Sequence, residues 1–331
     1  MPLRRLDRKL AAIAAGRYTP DDFIVADAKD ADMTDGLTAA GPVAPGAVER
    51  TGPGRYRTRP QYLAAMRTLL AAGEPDVLLT SASNGELLAA EGTLGDVTLA
   101  VRANDSTDIW YQRGGSYPSR PSRPFRSADL GAVRGFCDLV LYSVTLNNDV
   151  DHDLATLEAY AAFRREAAAL GVRHLLGVFS PNAPVGLAAD QVAPFVNDSI
   201  VRALAGVTRA ERPLFLTMAY HGADALAELV EHDPSLVLGI LGGSAGTTRD
   251  TFELLQRAQA RGARVALLGR TIQRAESQLD LVRSVRRVLR GDVSPADAVR
   301  EYHDTLAATG VSPHRDLAID LAVTDPVLRA G

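Results

Sequence analysis

The stretch LVLGILGGSAGTTRDTFELLQRAQARGARVALLGRTI, residues 236–272, decides the fold of this chain. It contains two continuous apolar runs of strand length, residues 236–241 and 263–268. Strands that are buried on both faces of a parallel sheet have this composition. Between the runs, residues 249–261 place their apolar side chains on one face of a helix. The stretch therefore predicts a strand–helix–strand unit in a parallel sheet.

Two glycine-rich turns in this unit predict an anion site. The first run leads through GGSAGTT, residues 242–248, directly into the helix, so backbone N–H groups and the positive end of the helix dipole converge there. The second run ends at a glycine and an arginine, whose guanidinium can hold phosphate oxygens in a bidentate way. We expect the following residues to bind phosphate: Gly243, Ser244, Gly246, Gly269 and Arg270. The alternative is a tight turn beside a surface cation.

Six more strand-length runs precede this unit and alternate with helical segments. They are residues 23–30, 76–80, 97–102, 137–142, 174–179 and 214–220. Eight such alternations predict an α/β protein, a single (β/α)8 TIM barrel with extra N- and C-terminal helices. In this architecture the loops after the seventh and eighth strands are the usual phosphate site. We expect one domain over residues 1–331, with the barrel at about 20–290 and a C-terminal helix and tail at 291–331.

Composition excludes several classes of partner. The chain has 331 residues and a net charge of −4 with interspersed charges, which argues against nucleic acid or an anionic membrane surface. No stretch approaches about 20 uninterrupted apolar residues, so no membrane span is expected. The charged N-terminus predicts a short amphipathic helix rather than a signal peptide, and hence a cytoplasmic protein. The only cysteine, Cys137, is expected to be a buried, inert thiol.

The first strand ends in charged residues that are candidates for catalysis. Alternation along a strand places Asp27 and Lys29 on one side and Asp30 on the other. The chain has only two lysines, Lys9 and Lys29, so chemistry that needs an amine has few candidates. At the end of the sixth strand, His221 is well placed for proton transfer, and a structural histidine is the equal alternative.

Two further segments carry charged clusters. Residues 110–126, WYQRGGSYPSRPSRPFR, combine four arginines with aromatic residues. They predict either a basic lid over an anionic substrate or an arm that docks on a neighbouring subunit. The acidic run at residues 149–153 directly precedes a helix, and acidic residues stabilise a helix start without a metal, so we expect a helix cap there. The six histidines are scattered along the chain, and no metal site is expected.

Four stretches carry a family resemblance: FIVADAKDADM, CDLVLYSVTLNND, LGILGGSAGTTRDTFELL and ARVALLGR. Together they resemble the class I aldolase superfamily, which includes deoxyribose-phosphate, tagatose-bisphosphate and archaeal-type fructose-bisphosphate aldolases. The resemblance covers about residues 20–305. It implies a phosphorylated sugar, carbon–carbon bond cleavage or formation, no metal, a Schiff-base lysine on the sixth strand, and a homo-oligomer. Where we align that lysine this chain has Thr217, whose hydroxyl cannot form an iminium.

Three interpretations of the chemistry stay open. In the first, Lys29 forms the Schiff base of a metal-independent, aldolase-like lyase, and Asp27, Tyr142 or His221 moves protons. In the second, Lys29 is an ionic or electrophilic group in a phosphosugar isomerase or epimerase. In the third, the barrel binds a phosphosugar without catalysis. In each case the partner is a small phosphorylated molecule, and no cofactor is expected.

Overall fold

A closed barrel of eight parallel strands forms the centre of the protein. The computed structural model describes residues 3–42, 56–104, 111–242 and 246–329. Strands that follow one another along the chain are paired, and the last strand pairs with the first. The strands are β1 Ile24–Lys29, β2 Val77–Thr80, β3 Thr98–Arg102, β4 Leu139–Thr145, β5 Arg173–Phe179, β6 Leu216–Met218, β7 Leu238–Leu241 and β8 Val265–Leu268. The predicted (β/α)8 barrel is confirmed.

Helices surround the barrel and extend it at both termini. They are α1 Arg5–Ala14, α2 Arg59–Ala72, α3 Ala82–Ala90, α4 Leu130–Val133, α5 Val150–Leu170, α6 Val192–Ala205, α7 Ala223–His232, α8 Thr248–Ala260, α9 Arg270–Arg274, α10 Gln278–Arg290, α11 Pro295–Ala308, α12 Leu317–Asp320 and α13 Pro326–Arg329. The predicted N-terminal helix and C-terminal helix are both present. The last two helices are short and lie in the tail, where the sequence pattern indicated no element.

Helix α1 closes the N-terminal end of the barrel. The inward residues of the strands, such as Ile24, form an apolar cluster with Leu6 of α1. Lys9 of α1 donates a hydrogen bond to Asp76 Oδ2 at 3.0 Å, and Arg286 of α10 contacts the same oxygen at 3.2 Å. Asp76 is fully buried, so these cations neutralise a charge that burial would otherwise make costly. The end of the barrel opposite the strand C-termini is therefore sealed.

The outward face of each strand packs against the helices. Val25 belongs to the large cluster that includes helix residues, whereas its neighbour Ile24 belongs to the inner cluster. Tyr142 of β4 faces α5, with ring centroids 5.2 Å from Tyr160 and 4.3 Å from Phe163. Register partners in parallel strands share a face, so this alternation decides which side chains can reach the barrel mouth.

Local signals at the helix ends agree with the sequence. The Asp149 side chain accepts a hydrogen bond from the His152 N–H at the start of α5, which confirms the helix-cap interpretation. Within the described residues, no helix is long and apolar enough to span a membrane. Cys137 is buried, and burial raises the pKa of its thiol to about 11, in agreement with an inert role.

Candidate active site

A buried ion pair lies at the mouth of the barrel, where the C-terminal ends of the strands meet. Arg102 ends β3 and donates from Nη1 to Oδ2 of Asp30, which directly follows β1, at 3.2 Å. Arg102 is the register partner of Leu141, a member of the inner cluster, so its side chain points inward. Burial raises the pKa of Asp30, and Arg102 offsets only part of this shift. The mouth therefore combines a carboxyl of raised basicity with a fixed positive charge.

Amide side chains continue the polar ring from β3 to β5. Arg102 Nε donates to the Asn104 carbonyl at 2.7 Å. The Asn104 side chain accepts from the Ser143 N–H at 2.6 Å and donates to the Ser143 carbonyl at 2.8 Å. Beyond β4, Asn147 Nδ2 donates to Asn182 Oδ1 at 3.0 Å. These bonds fix the ends of three strands relative to one another, so the polar groups of the mouth are preorganised.

The sixth strand adds a hydroxyl and an imidazole. Thr217 lies inward, between its register partners Gly177 and Gly239, and its Oγ1 is buried without a hydrogen-bond partner in the described part of the chain. After the strand, His221 Nε2 lies 3.4 Å from Ser180 Oγ. Burial lowers the pKa of His221, which favours the neutral imidazole that can accept a proton.

Asp27 and Lys29 lie on the other side of β1. Lys29 Nζ is 2.9 Å from Asp27 Oδ1, and both side chains are fully buried. Lys29 is the register partner of Thr80, whose Oγ1 contacts Met66 Sδ of α2 at 3.8 Å, so this side faces the helices. The predicted alternation is present, and it gives the helix-facing side to Asp27 and Lys29 and the inward side to Asp30. Catalytic roles for Asp27 and Lys29 stay predictions that this placement does not support.

Tyr142 and Lys9 also lie away from the mouth. Tyr142 packs outward against α5, and burial raises its pKa to about 12. Lys9 is held by Asp76 at the sealed end of the barrel. Of the four residues predicted to carry catalysis, only His221 lies at the mouth, and neither lysine of the chain does.

The turns after β7 and β8 hold the predicted phosphate-binding residues. Gly269 directly precedes α9, the short helix Arg270–Arg274, so the backbone turns into a helix at the end of β8. Gly246 has a φ of 144°, a conformation that a side chain would strain. Gly243 and Ser244 lie outside the described residues.

A cavity of about 670 Å³ opens beside these turns, and four arginines contribute to its lining: Arg113, Arg270, Arg274 and Arg315. Arg270 Nη1 donates to the Tyr111 hydroxyl at 2.8 Å. Arg274 makes no hydrogen bond or ion pair to the residues that the structure describes. A cavity with several guanidinium groups in its lining suits an anionic ligand.

One part of the anion-site expectation needs correction. The Thr248 N–H at the start of α8 is not free, because it donates to Asp320 Oδ1 at 2.8 Å. The Thr247 N–H likewise donates to Asp250 Oδ2 at 2.9 Å. The chain's own carboxylates therefore already occupy the first N–H groups of this helix, and a bound phosphate must use other donors.

The arginine-rich arm folds onto the mouth of its own barrel over residues 111–126. Asn182 Nδ2 donates to the carbonyls of Tyr117 and Arg120, each at 2.7 Å. The arm also places the Tyr111 hydroxyl against the turn after β8. These contacts favour the lid interpretation over the interface arm; residue 110 of the predicted arm lies outside the described residues.

Several solved structures share the fold of this chain, and two of them are aldolases. One is an archaeal fructose-1,6-bisphosphate aldolase with the catalytic Lys bound to the carbinolamine intermediate of its substrate: TM-score 0.60, 17% identity, 86% of this chain and 99% of that chain covered. A second is the fructose-bisphosphate aldolase from Slackia heliotrinireducens: TM-score 0.65, 14% identity, 91% and 90% covered. A third is a protein from Corynebacterium glutamicum: TM-score 0.57, 19% identity, 87% and 94% covered.

These likenesses show that the chain shares its barrel fold with two aldolases and with a third solved protein. Identities below 20% leave the activity of this chain to be argued from its own site. No family model matches the sequence, and no curated protein is similar to it.

The mouth contains residues that the sequence interpretation did not assign to the site. Asp30 was placed on the side opposite Lys29, but the inward side could not be told from the outward one. Arg102, Asn104 and Asn182 each lie at or just after the end of a strand. Polar side chains at successive strand ends were the available signal, since the C-terminal ends of parallel strands meet at one face of a barrel.

Proposed function

We propose that the chain is an aldolase-like lyase that acts on a small phosphorylated sugar at the mouth of the barrel. The observation that carries this proposal is the buried Asp30–Arg102 pair on the inward side of the strands. The fold, and the arginine-lined cavity beside the turns after β7 and β8, add support. In this proposal the phosphate group binds at Gly269 and Arg270, and the carbon chain extends towards Asp30.

The Asp30–Arg102 pair can perform retro-aldol chemistry without an amine. A base removes the proton of the hydroxyl that is β to a carbonyl, the new carbonyl forms, and the carbon–carbon bond breaks. The electron pair of that bond moves onto the second fragment as an enolate. In this proposal Asp30 takes the hydroxyl proton, and the Arg102 guanidinium stabilises the enolate oxygen. The neutral His221 then accepts the proton from Asp30 and passes it to the enolate carbon, which restores both groups.

The Schiff-base route through Lys29 remains the alternative route to the same reaction. It requires Lys29 to leave Asp27 and to reach the opposite side of its own strand, because its side chain faces the helices. Breaking a buried ion pair without a replacement partner costs about 3–5 kcal/mol, which disfavours this movement.

A phosphosugar isomerase or epimerase is the second candidate, and the absence of both lysines from the mouth favours it. Isomerisation passes through an enediolate, which needs a base and an electrophile but no amine. Asp30 and Arg102 would serve in the same roles. The two candidates differ only in whether a carbon–carbon bond breaks.

Borohydride trapping with a panel of ketose and aldose phosphates separates these activities. We expect turnover on a phosphorylated member of the panel, release of two carbonyl fragments, and no reduced adduct on the chain. An adduct on the peptide that contains Lys29 would replace the Asp30 route with the Schiff-base route. Turnover without fragment release would establish the isomerase or epimerase, and binding without turnover would leave a phosphosugar-binding barrel.

Calorimetry of Arg270→Ala tests the phosphate site. Loss of a charge-assisted contact costs about 1.5–3 kcal/mol, so we expect roughly ten- to a hundredfold weaker binding of fructose 6-phosphate and unchanged binding of fructose. The exposed Arg300 of α11 provides the control, Arg300→Ala, which should leave both affinities unchanged. Equal losses for the two sugars in Arg270→Ala would remove the phosphate assignment.

Homo-oligomerisation and a cytoplasmic location remain predictions. The arm, which the sequence analysis offered as a possible interface, contacts its own barrel, and so does the C-terminal tail. Light scattering at micromolar concentration decides the matter, and a monomer would remove the prediction.

A further inference from the structure

The C-terminal tail returns to the start of α8 and holds it by several hydrogen bonds. The Thr248 N–H donates to Asp320 Oδ1 at 2.8 Å, and Thr247 Oγ1 donates to the Ala322 carbonyl at 2.6 Å. The Thr324 N–H donates to Asp250 Oδ1 at 2.7 Å. The tail and the helix start are more than 70 residues apart in sequence, so tertiary packing alone brings them together.

Asp320 is the centre of this contact. Its side chain is 4% exposed, and its second oxygen accepts a hydrogen bond from His303 Nε2 of α11 at 2.9 Å. Arg315 lies 3.9 Å from the oxygen that faces α8. A carboxylate with partners on both oxygens is fixed in orientation, and a fixed carboxylate holds the N–H that donates to it.

Asp250 of α8 forms the second contact with the tail, because it accepts hydrogen bonds from Thr324 and Asp325. Burial alone would raise the pKa of Asp250, but hydrogen bonds from Thr324 and from the N–H groups of Thr247 and Asp325 more than offset it, so the pKa lies below its ordinary value. Asp250 is also the acidic partner of the capping box that begins α8. The first turn of α8 is therefore bonded to the tail at two separate points.

We propose that the C-terminal tail is a positioning element for the start of α8, which forms one wall of the arginine-lined cavity, and that Asp320 is its principal positioning residue. Gly246, Thr247 and Thr248 line the same cavity as Arg270, so fixing the helix start also fixes this wall. A wall held in place before the ligand arrives loses less conformational freedom on binding. The inference rests on the proposed phosphate site; Asp320 itself does not touch the ligand.

The experiment compares Asp320→Asn with Asp316→Asn, an exposed position in the same tail whose side chain caps nothing. Affinities for inorganic phosphate, fructose 6-phosphate and fructose are measured by calorimetry at a temperature where all variants are folded. We expect Asp320→Asn to bind both phosphate-containing ligands roughly tenfold more weakly, with fructose unchanged, and Asp316→Asn to match the wild type. Turnover of a substrate from the panel should show a higher KM with kcat retained.

Hydrogen exchange at residues 246–249 provides the second readout. We expect faster exchange there in Asp320→Asn than in Asp316→Asn. Thr324→Val, which removes the hydroxyl that donates to Asp250, should produce a smaller change of the same sign. Unchanged exchange in Asp320→Asn overturns the inference, as does tighter phosphate binding, which would make Asp320 a competitor of the ligand. A wild-type protein that binds no phosphate refutes the proposed function, while the exchange comparison still decides whether the tail orders the start of α8.

Discussion

The two sides of β1 carry two buried ion pairs with different surroundings. On the helix-facing side, neither Lys29 nor Asp27 has a hydrogen-bond partner beyond their mutual contact in the described residues. On the inward side, Asp30 meets Arg102, which continues into the polar ring of the mouth. Charge and burial are therefore similar, but only the Asp30–Arg102 pair lies on the inward side of the strands, at their C-terminal ends. A buried ion pair on a barrel strand can belong to an active site only when its side chains lie on the inward side of that strand.

The largest expected effect separates the inward pair from the outward one by activity. Asp30→Asn keeps the shape of the side chain but removes the proton acceptor, so we expect turnover to fall about 10²–10⁴-fold. Lys29→Met should change the turnover of the folded enzyme by less than about threefold, because a helix-facing side chain does not reach the reacting atoms. Steady-state kinetics on a substrate from the panel measures both. The reverse order of the two effects would reassign the chemistry to Lys29.

Stability should separate the pairs in the opposite sense. Lys29→Met leaves Asp27 buried without its cation, so we expect a loss of about 3–5 kcal/mol in the free energy of unfolding, measured with urea. In this variant burial keeps the pKa of Asp27 above its value in the unfolded chain. The folded protein is therefore more stable when Asp27 is protonated. The deficit should therefore be smaller at about pH 5 than at about pH 8. The double variant Asp27→Asn with Lys29→Met removes the lone charge and should recover much of the loss; a deficit that is independent of pH would contradict this account.

His174 extends the comparison to a third helix-facing group. Burial lowers the pKa of His174 to about 4, and its Nε2 lies 3.0 Å from the Tyr160 hydroxyl. The unfolded chain binds a proton below about pH 6.5 and the folded chain does not until about pH 4, so stability is intact above this window and falls within it, by about 3 kcal/mol. Urea unfolding across this range measures the fall, and His174→Phe should flatten it. A wild-type curve that is already flat would place His174 in contact with water.

The smallest effect concerns the arm above the mouth. The Tyr111 hydroxyl accepts a hydrogen bond from Arg270, so it competes with a bound phosphate for the same guanidinium. Tyr111→Phe keeps the ring beside Arg270 and removes the competitor, so we expect phosphate affinity to rise by about 0.5–1.5 kcal/mol, up to about tenfold. Calorimetry with inorganic phosphate measures it, with Tyr117→Phe as the control in the same arm. Weaker binding would instead make the hydroxyl part of the site.

The sequence was sufficient to predict the barrel, but not to predict which side chains point into it. Eight apolar runs separated by helices predict the strand order, and the glycines after the last two strands mark the turns correctly. The start of β1 could not be oriented, because residues 23–26 are all apolar and a strand buried on both faces has no polar side. The position of Lys29 depends on that orientation, so its side of the strand was not predictable.

Contacts between residues far apart in sequence also could not be predicted from the sequence pattern. Asp320 and Thr248 belong to segments with no shared motif, and the apolar residues of the tail do not indicate where it docks. By contrast, the helix cap at Asp149 was predictable because both partners lie within one turn. A helix cap can be predicted from residues that are neighbours in the chain. The polar ring of the mouth could not, because it depends on how the ends of five separate strands are placed relative to one another.

The pairing of β1 with β8 has a consequence for how the chain folds. Ile24 can meet Val265 only after most of the polypeptide has been synthesised, so β1 spends the earlier part of translation without one of its two neighbours. The seal at the N-terminal end waits even longer, since Asp76 needs Arg286 of α10 as well as Lys9 of α1. Closure of a loop of this length is slow. The nascent barrel therefore remains an open sheet with two exposed edges until its final third has left the ribosome, and it is in this interval that the chain is most open to association with other chains.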